Sequence, residues 1–286
     1  YLRPALGERK VASLRPIELD AVYADLSDRG LSPRTVRICH TVIRQSLEQA
    51  RRWGLIARSP AVDATPPRQV RREVTPPTVE QVRALIDAAR ADDPGFATYL
   101  WVLAATGCRR GEACARRWSD LDLDGGELQI RRSIAHAGGE VYEKATKTHQ
   151  SRRLALDPAT VDELRTHRRR MRERTMRLGV ALADDAHVFS DPEGSPWRPD
   201  VCTSRFGALR SGLGLTSVRL HDLRHFVATV LGDGGLPIAT ISTRLGHRDI
   251  ATTLNIYTHA LPATDQSAAA YLGSVLAPGS AAVRRG

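Results

Sequence analysis

With 286 residues the chain is long enough for two domains, and its 42% hydrophobic content is that of a protein with a packed core. Its net charge of +10 favours a polyanionic partner, either a nucleic acid or an anionic membrane. No apolar run is long enough to span a bilayer and there is no lipidation signal, which leaves DNA or RNA as the better partner. Of the 42 basic residues, 39 are Arg and 3 are Lys, so one arginine carries little information and one lysine more. Cys39, Cys108, Cys114 and Cys202 form neither a C-x-x-C pair nor a zinc pattern, and read as free, mostly buried thiols of a reducing cytoplasm. The chain opens on Tyr1, so its natural start is expected upstream.

Residues 1–75 hold 14 basic against 8 acidic residues, a denser positive charge than the rest. Pro16 opens a helix at its first position that runs to about Asp28, with Gly30 as its stop. Ile17, Val22 and Leu26 suit its core face. Ser32 then caps a long second helix, in which Val36, His40, Ile43, Leu47 and Ala50 recur at helical spacing. Arg37, Arg44 and Arg51 recur every seven residues on a different face, which fits a solvated stripe and a phosphate-contacting one equally well. Trp53 to Ile56 closes the helix and is expected to tuck back onto it. Pro60, Pro66, Pro67, Pro76 and Pro77, with Arg68, Arg71 and Arg72 among them, read as an extended basic linker.

Thr78 and Gln81 form a capping box, and Val82, Leu85, Ile86 and Ala89 make a core stripe behind it. Gly95 to Ala105 is a nearly all-apolar helix that stops at Thr106-Gly107. The next helix starts at Cys108-Arg109, so Arg109 projects from a fixed helix start and Glu112 can reach back toward it. Glu127 to Arg131 alternates as a strand, Gly138-Gly139 turns, Glu140 to Ala145 is a second strand and Arg152 to Leu156 a third. Lys147 lies in the connection between the last two, with Lys144 nearby within the second strand. A helix from Pro158 carries seven arginines between Arg165 and Arg177, mostly a solvated face. After Leu220, Leu223, Phe226, Val227 and Val230 fall on one helix face, and His221, Arg224 and His225 on the opposite one, where Lys, Glu or Gln is usual. Pro237 opens a second helix that buries Ile238, Ile241 and Leu245. Gly246 closes it and holds His247 just past its end, and a third short helix from about Asp249 carries Tyr257. Pro237 to Tyr257 also has the look of a helix-turn-helix.

Five runs occur in order: T-G-C-R-R-G-E at Thr106–Glu112, A-T-K-T at Ala145–Thr148, H-D-L-R-H at His221–His225, L-G-H at Leu245–His247 and I-Y-T-H at Ile256–His259. As a set they resemble the signature of the tyrosine recombinases, the phage-integrase family, across essentially the whole chain. The resemblance implies a mainly α fold with a small antiparallel β-sheet. It implies a helical, SAM-like core-binding domain over residues 1–58, incomplete at its N-terminus, whose first helix is missing or lies within residues 1–12. A basic linker over 59–77 would join it to an α+β catalytic domain over 78–260, the two closing as a clamp around DNA. Residues 261–286, weakly apolar at Tyr271, Leu272, Val275 and Leu276, would be exchanged between protomers. Cys108 stands where relatives often carry a larger apolar residue and reads as a packing variant.

The implied activity is DNA strand transfer, with Tyr257 as the nucleophile and a 3′-phosphotyrosyl link that conserves the phosphodiester energy. Arg109 and Arg224 would hold the non-bridging phosphate oxygens, His247 would hydrogen-bond the phosphate, and His221 would accept a proton or orient it. Lys147, with Lys144 as the competing candidate, would protonate the leaving 5′ oxygen, and Glu112 would support Arg109 and His221. Arg37, Arg44 and Arg51 would bind DNA. No cofactor, ATP or metal is implied. Implied partners are double-stranded DNA recombination sites and three further copies in a homo-tetramer on DNA. A directionality factor and a host DNA-bending protein are candidate accessories, and no membrane is involved. The setting would be the bacterial cytoplasm, associated with the nucleoid. An integrase of a phage or mobile element leads. Behind it stand an Xer-like chromosome-dimer resolvase, a type IB topoisomerase-like enzyme and a non-catalytic helix-turn-helix protein.

Overall fold

Pro16 and Ser32 start the two helices that organise the first of two compact units, Tyr1–Glu73 and Val74–Gly286. The computed structural model describes residues 1–69, 75–137, 140–145, 151–247 and Asp249. A short helix α1 (Leu2–Leu6) precedes α2 (Pro16–Asp28) and α3 (Pro33–Arg52). Leu19, Tyr23 and Leu26 of α2 pack on Val36, Cys39, Ile43 and Leu47 of α3, with Leu2 and Leu6 at the edge of this core. Ile17 is exposed, contrary to expectation. It lies nine residues before Leu26, half a turn away at about 100° per residue, so the two cannot share a face. Cys39 fills the core position expected of His40, which is half-buried and shares a 2.9 Å hydrogen bond with the Tyr23 hydroxyl. The Ser32 side chain caps α3 by accepting from the Thr35 N–H. Trp53 and Leu55 stay exposed, and of that closing segment Ile56 packs on the core.

In the second unit α4 (Val79–Asp92) begins with the expected reciprocal cap, Gln81 N–H to Thr78 Oγ1 and Thr78 N–H to Gln81 Oε1. Val82, Leu85, Ile86 and Ala89 are all buried. Asp93 ends α4 and caps α5 (Pro94–Thr106), accepting from the N–H groups of Gly95 and Phe96. Helix α5 is buried nearly all round and packs on α4 and on three later helices, so it is the axis of the unit. Then follow α6 (Arg110–Cys114), β1 (Leu121–Asp122), β2 (Glu127–Ile130), β3 (Arg132–Ala137), β4 (Glu140–Ala145) and β5 (Arg152–Ala155). Strand β2 pairs antiparallel with β1 and β5, with Leu128 opposite Leu154, whereas among the described residues β3 pairs only with β4. The strand expected to run on to Arg131 breaks there. Arg131 and Arg132 both turn onto the buried Asp120 carboxylate, which divides one run into strands of two separate sheets.

The remaining helices are α7 (Pro158–Arg177), α8 (Pro199–Gly212), α9 (Asp222–Asp233) and α10 (Ile238–Leu245). The α7 arginines are less free than expected. Arg165, Arg168, Arg170 and Arg174 bond Asp124, Asp184, Thr98 and Ser190 and stitch the helix to its surroundings. Helix α8 left no clear sequence signal, because Pro199, Cys202 and Phe206 are its whole buried set. On α9, Leu223, Val227 and Ala228 are buried, while Val230 is exposed. The four cysteines are buried and free. Among the described residues no helix is long and apolar enough to cross a membrane.

Candidate active site

Three chain turns build the site. Helix α5 ends at Gly107 in the left-handed region (φ 66°). A Cβ at Gly107 would lie 2.4 Å from Leu245 Cδ2 and 3.2 Å from Val227 Cγ1, so glycine is required both by the backbone and by the approach of α9 and α10. The chain then re-enters a helix at Arg109, whose N–H donates to Glu112 Oε2 (2.9 Å). The third turn is Gly246 (φ 68°) at the end of α10, anchored by Arg244, which donates to the carbonyls of Ala105 and Ala155.

These turns bring Arg109, Glu112, Arg224 and His247 together. Arg109 donates through Nη1 to Glu112 Oε1 (2.9 Å) and through Nη2 to the Gly246 carbonyl (3.0 Å), next to His247. The His247 N–H is held by the Ser242 carbonyl (3.0 Å). Arg224 projects from α9 and is 3% exposed. Its Nη1 donates to the Gly107 carbonyl (2.7 Å), and its buried Nη2 has no hydrogen-bond partner among the described residues. A buried donor on a cation is costly unless an acceptor, best an anion, meets it. His221 occupies the N-cap position of α9 without a side-chain cap bond, and its ring stands edge-on to His225 at 5.2 Å.

Electrostatics follow from this crowding of cations. Burial alone would raise the Glu112 pKa. Hydrogen bonds and charge from Arg152, then those from Arg109, outweigh it and bring the carboxyl to about 2. Burial, and next the charge of Arg109, lowers Arg224 to about 9, so it remains a cation at neutral pH. His221 is pushed to about 4 by desolvation, then by His225 and Arg224, although it keeps an exposed edge. His247 is brought to about 4 by desolvation, then by Arg224 and Arg109. Both imidazoles are therefore neutral at pH 7 and surrounded by positive charge, an arrangement suited to an incoming anion.

Residues 78–264 match the phage integrase family. The chain belongs to that family. This tyrosine recombinase is accordingly an enzyme of DNA strand transfer. It is 26% identical over 273 residues to a XerC-like tyrosine recombinase of Caldanaerobacter subterraneus subsp. tengcongensis, over 88% of this chain and 69% of that protein. It is also 26% identical over 252 residues to the ICEBs1 integrase of Bacillus subtilis, over 88% and 68%. Its fold is that of the Tn1549 transposon integrase, solved in complex with a circular intermediate DNA. The TM-score is 0.78 and the identity 17%, over 91% of this chain and 86% of the other.

Of the other expected site residues of the recombinase, some lie within the described residues and some do not. Lys144 is exposed in β4, opposite Ser133, with its ammonium 5.9 Å from the Tyr142 ring centroid. Lys147 and Tyr257 lie outside the described residues. Arg37, Arg44 and Arg51 are exposed on α3 in the first unit. Arg37 donates to the Pro67 carbonyl and Arg51 pairs with Glu48. A groove on this helix is lined by Arg37, His40, Thr41, Arg44, Gln45, Glu48, Gln49 and Arg52. Sequence reasoning missed Arg152, which donates to both oxygens of Glu112 (3.2 and 2.7 Å). In a chain with 39 arginines nothing marks one of them out.

Proposed function

We propose that the chain is a site-specific integrase of a phage or other mobile element, cutting and rejoining double-stranded DNA through a 3′-phosphotyrosyl intermediate formed by Tyr257. The convergence of Arg109 and the buried Arg224, whose Nη2 has no partner among the described residues, beside two neutral imidazoles carries the reading. Such a site is built to receive a phosphodiester. The Tyr257 oxygen attacks the scissile phosphorus and the 5′ oxygen departs. Arg224 Nη2 and the exposed part of Arg109 meet the non-bridging oxygens as their charge grows in the transition state, which lowers the barrier beyond simple binding. His247 donates to the same phosphate. His221, a neutral base, accepts the phenol proton or orients the phosphate. Lys147, five residues before Arg152, protonates the leaving oxygen. Two arginines and a lysine supply the positive charge that a metal supplies in other phosphoryl-transfer enzymes. The phosphotyrosyl bond keeps the energy of the broken ester, so reversal onto a second strand needs no ATP. The α3 groove with Arg37 and Arg44, and Arg51 beyond it, gives the first unit a basic face for DNA phosphates. Strand exchange between two duplexes requires four subunits, acting on nucleoid DNA in a bacterial cytoplasm.

The likeness to the ICEBs1 integrase, with the fold shared with a transposon integrase, favours the mobile-element role, and the XerC-like relative favours a chromosome-dimer resolvase as the second reading. The test uses nicked suicide duplexes of randomised sequence. Duplexes joined covalently to the chain are recovered and sequenced, which gives both the chemistry and the site. Tyr257→Phe should bind the recovered duplex with unchanged affinity and form no adduct. A normal adduct yield from that variant would place the nucleophile elsewhere, with Tyr271 next to be tried.

A further inference from the structure

We infer that Arg152 is a positioning residue for strand cleavage: by tying Glu112 to the Arg244–Gly246 turn, it sets where Arg109 and His247 meet the scissile phosphate. This role rests on the recombinase reading above.

Arg152 comes from β5, and its whole guanidinium is spent inside the protein. Nη1 donates to Glu112 Oε1 (3.2 Å), Nη2 to Glu112 Oε2 (2.7 Å) and Nε to the Arg244 carbonyl (3.1 Å). Its side chain is 12% exposed, against 46% for Arg109, so Arg109 meets DNA and Arg152 acts through its neighbours. The Gly246 turn is gripped from two sides. Arg109 holds its carbonyl, while a Cβ at Gly246 would lie 2.6 Å from Arg152 Nη1, so the guanidinium lies directly against the turn. The contacts close a ring from Arg152 through Glu112, Arg109 and Gly246 back to Arg244, joining β5, the start of α6 and the end of α10. His247 follows that turn at once. Displacing Arg152 frees the turn and the carboxylate together.

The ring also governs charge. Each Glu112 oxygen accepts one N–H from Arg152 and one from Arg109. A carboxylate with Arg109 as its one cation would neutralise the charge the phosphate needs. Shared between two guanidiniums, it leaves the pair net positive while satisfying all its lone pairs. The same contacts would also suit a residue that only stabilises the fold, and the experiment separates the two roles.

The full chain is assayed on a duplex recovered as above, with DNA saturating and single-turnover cleavage as the readout. Gel-shift affinity and the melting temperature are measured alongside. Arg152→Gln should cut about 10²-fold more slowly, the cost of misplacing a reacting group by about an ångström, with affinity within about threefold of the parent. In a Glu112→Gln background the same substitution should cost at least about threefold less than in the parent, because the share of its effect that runs through Glu112 is already lost. Arg152→Lys keeps the charge but cannot reach Glu112 and the Arg244 carbonyl at once, and should lose about tenfold in rate at unchanged affinity. Should Arg152→Gln not melt as a folded protein, Arg152→Lys decides alone. Parent-like cleavage by either folded variant, or equal losses in both backgrounds, overturns the positioning role. A parent chain that forms no adduct with any duplex of the library overturns the recombinase reading and this role with it.

Discussion

Arg109 and Arg224 carry the same charge on different terms. Arg109 is about half exposed and rests on a carboxylate, whereas Arg224 is buried, bonded to the Gly107 carbonyl, and holds a second nitrogen ready for an acceptor. Burial removes the water that would screen Arg224, so its interaction with a developing oxyanion is the stronger of the two. Arg224→Lys should therefore be far from conservative. Lysine has one nitrogen where arginine has a fork, and it cannot hold Gly107 and a phosphate oxygen together. Single-turnover cleavage should fall by about 10²- to 10³-fold with DNA binding largely retained, as for loss of one oxyanion donor. A rate within threefold of the parent would reduce Arg224 to a structural residue. Arg109, Glu112 and His247 were legible as candidates because each follows a glycine turn, written as a Thr-Gly or a Leu-Gly pair, and Arg224 because it shares with two histidines a helix face where Lys, Glu or Gln is usual. Arg152 sits in a strand with no flanking punctuation, and its role comes entirely from contacts 40 and 92 residues away.

At the scale of elements, the site is a meeting of helix ends. Helix α5 delivers Gly107, α9 delivers Arg224 within its first turn, and α10 stops at Gly246. The approach is close enough that Gly107 is its weakest point. Gly107→Ala should both strain a φ of 66° and drive a methyl into Leu245. A loss of about 1–3 kcal/mol of unfolding free energy is expected, as for an overpacked core. Cleavage should fall further than stability does, because Leu245 moves the Gly246 turn. Urea unfolding with cleavage at saturating DNA would read both, and an unchanged urea midpoint would show that α10 is free to shift. Element starts were the readable part of the fold. The Ser32 cap and the Thr78–Gln81 box are local hydrogen-bond patterns, and the α4 core stripe is plain periodicity. What local pattern could not give was decided by tertiary partners. Arg131 and Arg132 break a strand because Asp120 is buried beneath them, and α8 is helical with three buried side chains because α4, α6 and β3 receive it.

Over the whole molecule, charge is the common theme, and it makes stability depend on pH in a defined direction. His221, His247 and the buried His167 have folded-state values of about 4 against an ordinary 6.5. Between those values the unfolded chain binds protons that the folded chain does not. Their stabilising effect is thus full above pH 6.5 and is lost as pH falls toward 4. Glu112, at about 2 against an ordinary 4.5, extends the loss to lower pH. Calorimetry should show the melting temperature of the DNA-free chain falling steadily from pH 6.5 to 4, with a shallower fall when bound phosphate offsets the site's positive charge. A flat profile over that window would mean that the histidines are not desolvated as described. The same excess of charge bears on assembly. On the tetrameric reading proposed above, single-site binding would need one protomer's basic faces, whereas exchange would need four active sites acting in turn. The segment Leu261 to Leu276 lies outside the described residues, and in sequence it is weakly apolar and tethered by Pro262 a few residues past Tyr257. Such a segment has little reason to fold on its own domain, and its apolar side chains need a pocket. We propose that a neighbouring protomer on the same DNA supplies one; docking there would link each nucleophile to the adjacent subunit. Deleting residues 263–286 should leave single-site gel shifts largely intact and abolish synapsis and strand exchange. Normal recombination by the truncated chain would rule the docking role out and leave coordination to contacts within the two units.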